Sequence, residues 1–137
     1  MVDIDEQLKK LAMEAEWQQQ QARDIQGQLQ NIQTIEIEMF RTSEALKSLK
    51  EKGVSLFSLG SGVFAKGELK DINRLLVNVG SNILVEKSID ETIIFLDERK
   101  KEIEEIRENL MNEMRQISAR LREIDEAAKE YITKREQ

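Results

Sequence analysis

The chain has 137 residues, with no Cys, no His and no Pro, 35% charged residues and only 4% aromatics. That profile lies towards long coiled-coil helices. It excludes a disulfide framework, a sulfur-ligated zinc site, a Ser-His-Asp triad and an HExxH centre, and the formal net charge of −6 argues against a nucleic-acid grip, which needs a basic face to displace counterions.

Glycine divides the chain. Five of its six glycines lie between Gly53 and Gly80. Residues 1–52 and 88–137 are rich in Glu, Gln, Lys, Arg, Leu and Ile, whereas 53–87 are rich in Gly, Ser, Val and Leu. The spacing predicts one domain, 1–137, made of a helical arm, a β-like centre and a second helical arm.

In the first arm one heptad position reads Ile4, Leu11, Gln18, Ile25, Ile32, Met39, Leu46, and its weaker partner reads Leu8, Ala15, Ala22, Leu29, Glu36, Ser43. Sustained over this many heptads, the pattern is a coiled-coil seam. Ile35 and Leu49 are expected to replace the weak position near the end and shift the seam sideways. No proline interrupts the helix, so about 47 residues at 1.5 Å each give an arm of roughly 70 Å. The Gln-rich stretch from Gln18 to Gln33 stays in heptad phase and reads as a solvated helix face. Gly27 falls off the seam and softens the helix by about 1 kcal/mol against Ala.

The centre alternates with period two. Val54-Ser55-Leu56-Phe57-Ser58-Leu59 is a strand candidate, and Gly60-Ser61-Gly62 is a tight-turn signal. Val63, Ala65, Gly67 and Leu69 then alternate with Phe64, Lys66, Glu68 and Lys70. Gly67 marks either a bulge or a close backbone approach. Asp71-Ile72-Asn73 reads as a connection. Leu75, Val77 and Val79 alternate with Leu76 and Asn78, Gly80-Ser81-Asn82 is a second turn, and Ile83 and Val85 alternate with Leu84 and Glu86. Two consecutive hairpins follow from this. Hairpins of this size are marginal in water, and their open edges invite pairing with another chain. They are therefore expected to be assembly elements, joining hairpins of other subunits through Val54, Leu56, Phe57, Leu59, Val63, Phe64, Ala65, Leu69, Leu75, Val77, Val79, Ile83 and Val85.

Ser88-Ile89-Asp90-Glu91 is a capping box at the start of the second arm, and Asp90 and Glu91 suit the positive end of its dipole. Every seventh residue is then large and apolar: Ile89, Leu96, Ile103, Leu110, Ile117, Ile124, Tyr131. The partner positions are Ile93, Ile106, Met114, Leu121 and Ala128, with a gap at Arg99 and Lys100. Folded back across the centre, the arms match in length and bury each other's seams. The fold class is α+β: a long antiparallel coiled coil with two central β-hairpins.

The chain termini meet at the open end of such a coiled coil. Ile4, Leu8 and Leu11 on one arm and Ile124, Tyr131 and Ile132 on the other lie there, with the off-seam residues Met13, Trp17 and Ala127. Exposed apolar surface often marks a binding site. Leu8, Leu11 and Ile124 read equally well as the end of the seam, whereas the seam does not need Met13, Trp17 or Ile132.

Catalytic chemistry is missing. Gly60-Ser61-Gly62 lacks the spacing of a phosphate loop and is followed by a strand. Glu104, Glu105 and Glu108 can pair with Arg107 or Lys101 at helical spacing. No enzyme activity, cofactor or metal is expected. No apolar run is long enough to span a bilayer and no targeting segment is evident, so a cytoplasmic location with no membrane contact is expected.

Helix, two hairpins and helix in this length resemble the α-type subunit of prefoldin. Leu59-Gly60-Ser61-Gly62-Val63-Phe64-Ala65-Lys66-Gly67-Glu68-Leu69-Lys70-Asp71 is similar to that family's first hairpin. Val77-Asn78-Val79-Gly80-Ser81-Asn82-Ile83-Leu84-Val85-Glu86-Lys87 is similar to its second, with Ser88 to Glu91 opening the long helix. Ser58 stands where a proline is frequent, and Thr92 where an alanine is common. The resemblance implies an ATP-independent holdase. It implies a hexamer of two α-type and four β-type subunits whose hairpins form a β-barrel platform. It also implies arm tips that grip unfolded clients and pass them to a group II chaperonin. The residues themselves leave open an alternative: a coiled-coil scaffold or filament that self-assembles through its hairpin edges.

Overall fold

The computed structural model describes residues 3–71 and 73–137. Ile72, in the expected connection, lies outside them, as do residues 1 and 2. The elements in chain order are helix α1 (Ile4–Lys52), strands β1 (Val54–Gly60), β2 (Val63–Glu68), β3 (Leu75–Asn78) and β4 (Leu84–Lys87), and helix α2 (Ile89–Glu136). The chain forms two compact units. A terminal unit combines Met1–Ile32 with Glu105–Gln137, and a central unit spans Gln33–Glu104.

Local chemistry sets the helix ends. Asp3 opens α1: its carbonyl accepts the Gln7 N–H at 3.1 Å and its Oδ1 accepts the Asp5 N–H at 3.0 Å. Gly53 closes the helix with φ +73°, donating its N–H to the Leu49 carbonyl at 3.0 Å. This is the left-handed cap for which glycine is suited. Helix α2 opens on a reciprocal capping box. The Ser88 N–H donates to Glu91 Oε1 at 3.2 Å, and the Glu91 N–H donates to Ser88 Oγ at 3.1 Å. Thr92, buried one turn in, donates its hydroxyl to the Ser88 carbonyl at 2.7 Å.

In the terminal unit the two helices close on Ile25, Ile32, Leu110, Ile117 and Ile124, all buried. The heptad spacing holds, with Leu8, Leu11, Ala15, Ala22, Leu29, Met114, Leu121 and Ala128 half-buried beside them. Ile106 departs from expectation: it is exposed, and Arg107 is half-buried in its place. Arg107 is in seven-residue phase with Met114 and Leu121, and phase outweighs residue type.

In the central unit Leu46, Leu49 and Ile89 form a buried cluster against which Phe57, Leu69, Leu75, Ile93 and Leu96 pack. Leu49 joins because the hairpins supply it with apolar neighbours where α1 ends. Ile35 does not make the expected shift of the seam: it is exposed, while Glu36 keeps the heptad position and is half-buried. Lys50 Nζ reaches Asp90 Oδ1 at 2.6 Å, tying the last turn of α1 to the first turn of α2.

The strands form two separate two-stranded antiparallel sheets, β1 with β2 and β3 with β4. In the first, Phe57 faces Ala65, Leu56 faces Lys66 and Ser58 faces Phe64. In the second, Val77 faces Val85 and Leu76 faces Glu86. Both hairpins turn on two central residues of positive φ, Ser61 with Gly62 and Ser81 with Asn82, each pair preceded by a glycine also at positive φ, Gly60 and Gly80. That geometry matches the twist of the flanking strands. Two expectations are corrected and one open alternative is decided. Strand β2 stops at Glu68, so Leu69 and Lys70 lie beyond it. Val79 and Ile83 belong to the second loop, where the Val79 N–H donates to the Ile83 carbonyl at 3.0 Å. The register shift falls between Ser58 and Gly60 rather than at Gly67. Gly67 is instead a close approach, since a Cβ there would lie 3.2 Å from Phe57 Cε2.

Candidate functional site

Exposed apolar residues gather on the hairpins of the central unit and on the helices of the terminal unit, and Ile37, Phe40 and Ile94 are exposed on the helices of the central unit as well. In the central unit the pleat sorts the hairpin residues. Phe57, Ala65, Leu69, Leu75 and Val77 are half-buried towards the helix ends, with Val54 also half-buried. Leu56, Leu59, Val63, Phe64, Val79, Ile83 and Val85 are exposed. Leu76 and Leu84 share the outward face of the second hairpin, and Leu76 is 65% exposed. Sequence reasoning left these two out of the assembly set because their alternate positions include Asn78 and Glu86. The signal was available, since Leu76 and Leu84 sit on one pleated face across from those polar residues.

Both outward faces carry polar residues among the apolar ones. In the second hairpin Arg74 Nη2 meets Glu86 Oε1 at 3.1 Å, which pushes the guanidinium further from losing its proton. Among the described residues every strand has one partner only. The backbone groups of all four outer edges therefore face away from their own sheet, the arrangement that admits a further strand.

In the terminal unit Met13 is 63% exposed and Trp17 60%, and Ile132 is also exposed. Met13 and Trp17 are four apart and lie on one helix face. Ile4, Leu8, Leu11, Ala127 and Tyr131 are half-buried. Ile124 is only 4% exposed and belongs to the seam. Leu8, Leu11, Ala12, Ala15, Leu121, Ile124 and Ala128 line a shallow groove between the two helices. Its alanines are too small to close the space above the seam. Trp17 lines a second, separate cleft with Gln18, Gln21, Ile25, Glu113, Gln116, Ile117 and Arg120.

Ion pairs hold the helices together beside these clefts. Arg120 grips Glu14 with two bonds, Nε to Oε1 at 2.6 Å and Nη2 to Oε2 at 2.8 Å, and reaches Glu123 Oε2 with Nη1 at 3.0 Å. The hydrogen bond from Arg120 holds the Glu14 carboxyl below the usual carboxylate range. Arg135 meets Asp5 at 2.7 Å. Among the described residues there is no group of three or more acidic side chains able to hold a metal ion. No helix among them is long and apolar enough to cross a membrane.

A family profile described as prefoldin subunit matches residues 3–135. The chain belongs to the prefoldin family. Among curated prefoldin relatives, it is 38% identical to the prefoldin subunit alpha of Thermofilum pendens over 85% of this chain and 93% of that protein. It is 34% identical to the prefoldin subunit alpha of Pyrococcus horikoshii over 98% of this chain and 93% of that one. A filamentous PFD from Methanocaldococcus jannaschii, determined by cryo-EM, shares the fold with TM-score 0.68 at 18% identity, over 82% of this chain and 96% of that one. The α-type resemblance and the prefoldin-like α+β fold expected from the sequence are therefore met. Prefoldins are non-enzymatic chaperones, and membership gives this chain a chaperone-type role.

Proposed function

We propose that the chain is one subunit of an ATP-independent holdase, acting as a single prefoldin-like domain in the cytoplasm. The observation that carries this reading is the pair of uncovered apolar surfaces, one on open-edged hairpins and one on a two-helix end. The hairpins take the assembly role through Val54, Leu56, Leu59, Val63, Phe64, Leu76 and Leu84, with Phe57, Ala65, Leu69, Leu75 and Val77 supporting them from the inner face. Prefoldin β-type subunits are the partners, two α with four β. The terminal unit takes the client role through Met13, Trp17 and Ile132, with Ile4, Leu8, Leu11, Ala127 and Tyr131 along the groove. Several such patches in one complex raise the effective concentration of weak sites. Delivery of the captured chain to a group II chaperonin completes the role.

A second reading is self-assembly into a scaffold or filament, and the unpartnered strand edges favour it. Light-scattering mass, for the chain alone and mixed with a prefoldin β-type subunit, separates the two. The holdase reading expects a discrete complex of about six subunits only on mixing. A polymer that ignores the β chain overturns it. On the mixed complex, deleting about ten residues from each end, which removes Ile4, Leu8, Tyr131 and Ile132, is expected to weaken suppression of client aggregation, and unchanged suppression removes those four residues from the site.

A further inference from the structure

The Gln-rich stretch is not absorbed by apolar capture. Within residues 17–32 seven of sixteen residues are glutamine, and only Arg23 and Asp24 carry charge. Those two charges are tied to one side chain: Arg23 Nη2 donates to Gln20 Oε1 at 2.8 Å, and Gln20 Nε2 donates to Asp24 Oδ1 at 3.1 Å. In a chain with 35% charged residues, this leaves an unusually neutral helix surface.

The cleft beside Trp17 brings part of that stretch together with the facing helix. Gln18 and Gln21 of α1 and Gln116 of α2 line it over a floor of Ile25 and Ile117. Gln18 and Gln21 are half-buried and Gln116 is exposed. Among the described residues none hydrogen-bonds to these three amides. Arg120 on the rim is already committed to Glu14 and Glu123. The cleft thus offers three uncommitted primary amides and an exposed indole, with the Glu113 carboxylate and the Arg120 guanidinium also on its lining.

A primary amide matches one chemical group in both directions. It donates through NH₂ and accepts through C=O, as the peptide group also does. A non-native chain differs from a folded one in two ways: it exposes apolar side chains, and it exposes backbone N–H and C=O groups that a folded chain has paired. The apolar groove reads the first difference without regard to the second. We propose that the Gln18–Gln21–Gln116 cleft reads the second, binding the peptide backbone of an extended client segment while Trp17 takes an adjacent apolar side chain. Recognition of this kind is independent of client sequence, because every residue but proline offers the same two groups. Neutral amides also repel neither acidic nor basic clients. The inference rests on the client-capture reading and adds a ligand group to it.

The test uses the full chain assembled with a prefoldin β-type subunit and two fluorescent twelve-residue peptides. The peptides are identical in side chains, apolar and uncharged, and one is N-methylated at alternate backbone amides. The unmodified peptide is expected to bind about tenfold more tightly than the methylated one, the loss that two or three hydrogen bonds produce. In Gln21→Ala/Gln116→Ala, and in Gln21→Met/Gln116→Met, which keeps side-chain length without the amides, that ratio is expected to fall towards one. An equal ratio in wild type and variants overturns the backbone-reading cleft and leaves apolar capture standing. No binding of the unmodified peptide by the wild-type complex overturns client capture itself, and the cleft with it.

Discussion

The terminal and central units share one heptad pattern and close it by different means. In the central unit Leu46, Leu49 and Ile89 are sealed by hairpin side chains from a third direction. In the terminal unit only two helices are present. Alanines thin the seam at positions 15, 22 and 128, and the cross-helix contacts include Glu14–Arg120 and Asp5–Arg135. A two-helix layer cannot enclose a side chain on all sides, so some apolar surface stays uncovered. Both units keep apolar surface, the central one on its hairpins and the terminal one beside its seam, but only the central one also seals a cluster from a third direction.

Substitutions can break or sharpen this contrast. The largest effect is expected from Ile89→Ala. Ile89 is 3% exposed, and truncating a core isoleucine costs about 2–5 kcal/mol. Urea unfolding checks it. Ile124→Ala in the terminal unit should fall at the low end of that range, because a groove already borders it and the cavity can open to water. A loss as large as that for Ile89→Ala would erase the difference between the units.

Gly53→Ala comes next. At φ +73° a Cβ costs about 1–2 kcal/mol, and thermal unfolding should register it. Ser88→Ala removes half of the capping box and should cost about 1 kcal/mol. The Ser88 backbone N–H and then its hydroxyl hold the Glu91 carboxyl below its ordinary range, so the variant, which keeps the N–H, should raise the Glu91 titration only part of the way, readable by carboxyl NMR.

The smallest effect concerns Glu14. Its folded pKa is depressed by Arg120. Its contribution to stability is therefore present above the unfolded carboxyl value and is lost as pH falls through the lower folded value. Glu14→Gln should flatten that part of the acid profile. In hydrogen exchange, salt should loosen the terminal helices more than the central cluster, because exposed ion pairs are screened and apolar contacts are not. Equal loosening would count against a greater share of ion pairing in the terminal unit, since the central unit has the Lys50–Asp90 pair between its helices as well.

The seam was legible because a single period governs it. Ile25, Ile32, Leu46, Leu110, Ile117 and Ile124 are all buried where the spacing puts them. The misplacements, Ile35 and Ile106, come from ranking residue type above phase: each lies one position before a charged residue that holds the heptad place. The capping box was readable from four residues because its bonds are local. The hairpins were legible as elements but not in their ends, since Val79 and Ile83 look like strand residues and form loop bonds instead. In the candidate site, Met13 and Trp17 stood out because the seam has no use for them. The cleft of Gln18, Gln21 and Gln116 was not visible, because it needs two helices in register and a linear sequence shows only one.

The ion pairs also set an order of assembly in time. Lys50 and Asp90 are 40 residues apart along the chain, whereas Asp5 and Arg135 are 130 apart. Closing the longer loop first costs about 1 kcal/mol more in chain entropy, so pairing is favoured to start near the hairpins and zip outward. On a ribosome the apolar stripe of α1 therefore waits, uncovered, until α2 has been synthesised. During that interval the nascent subunit itself presents unpaired apolar surface.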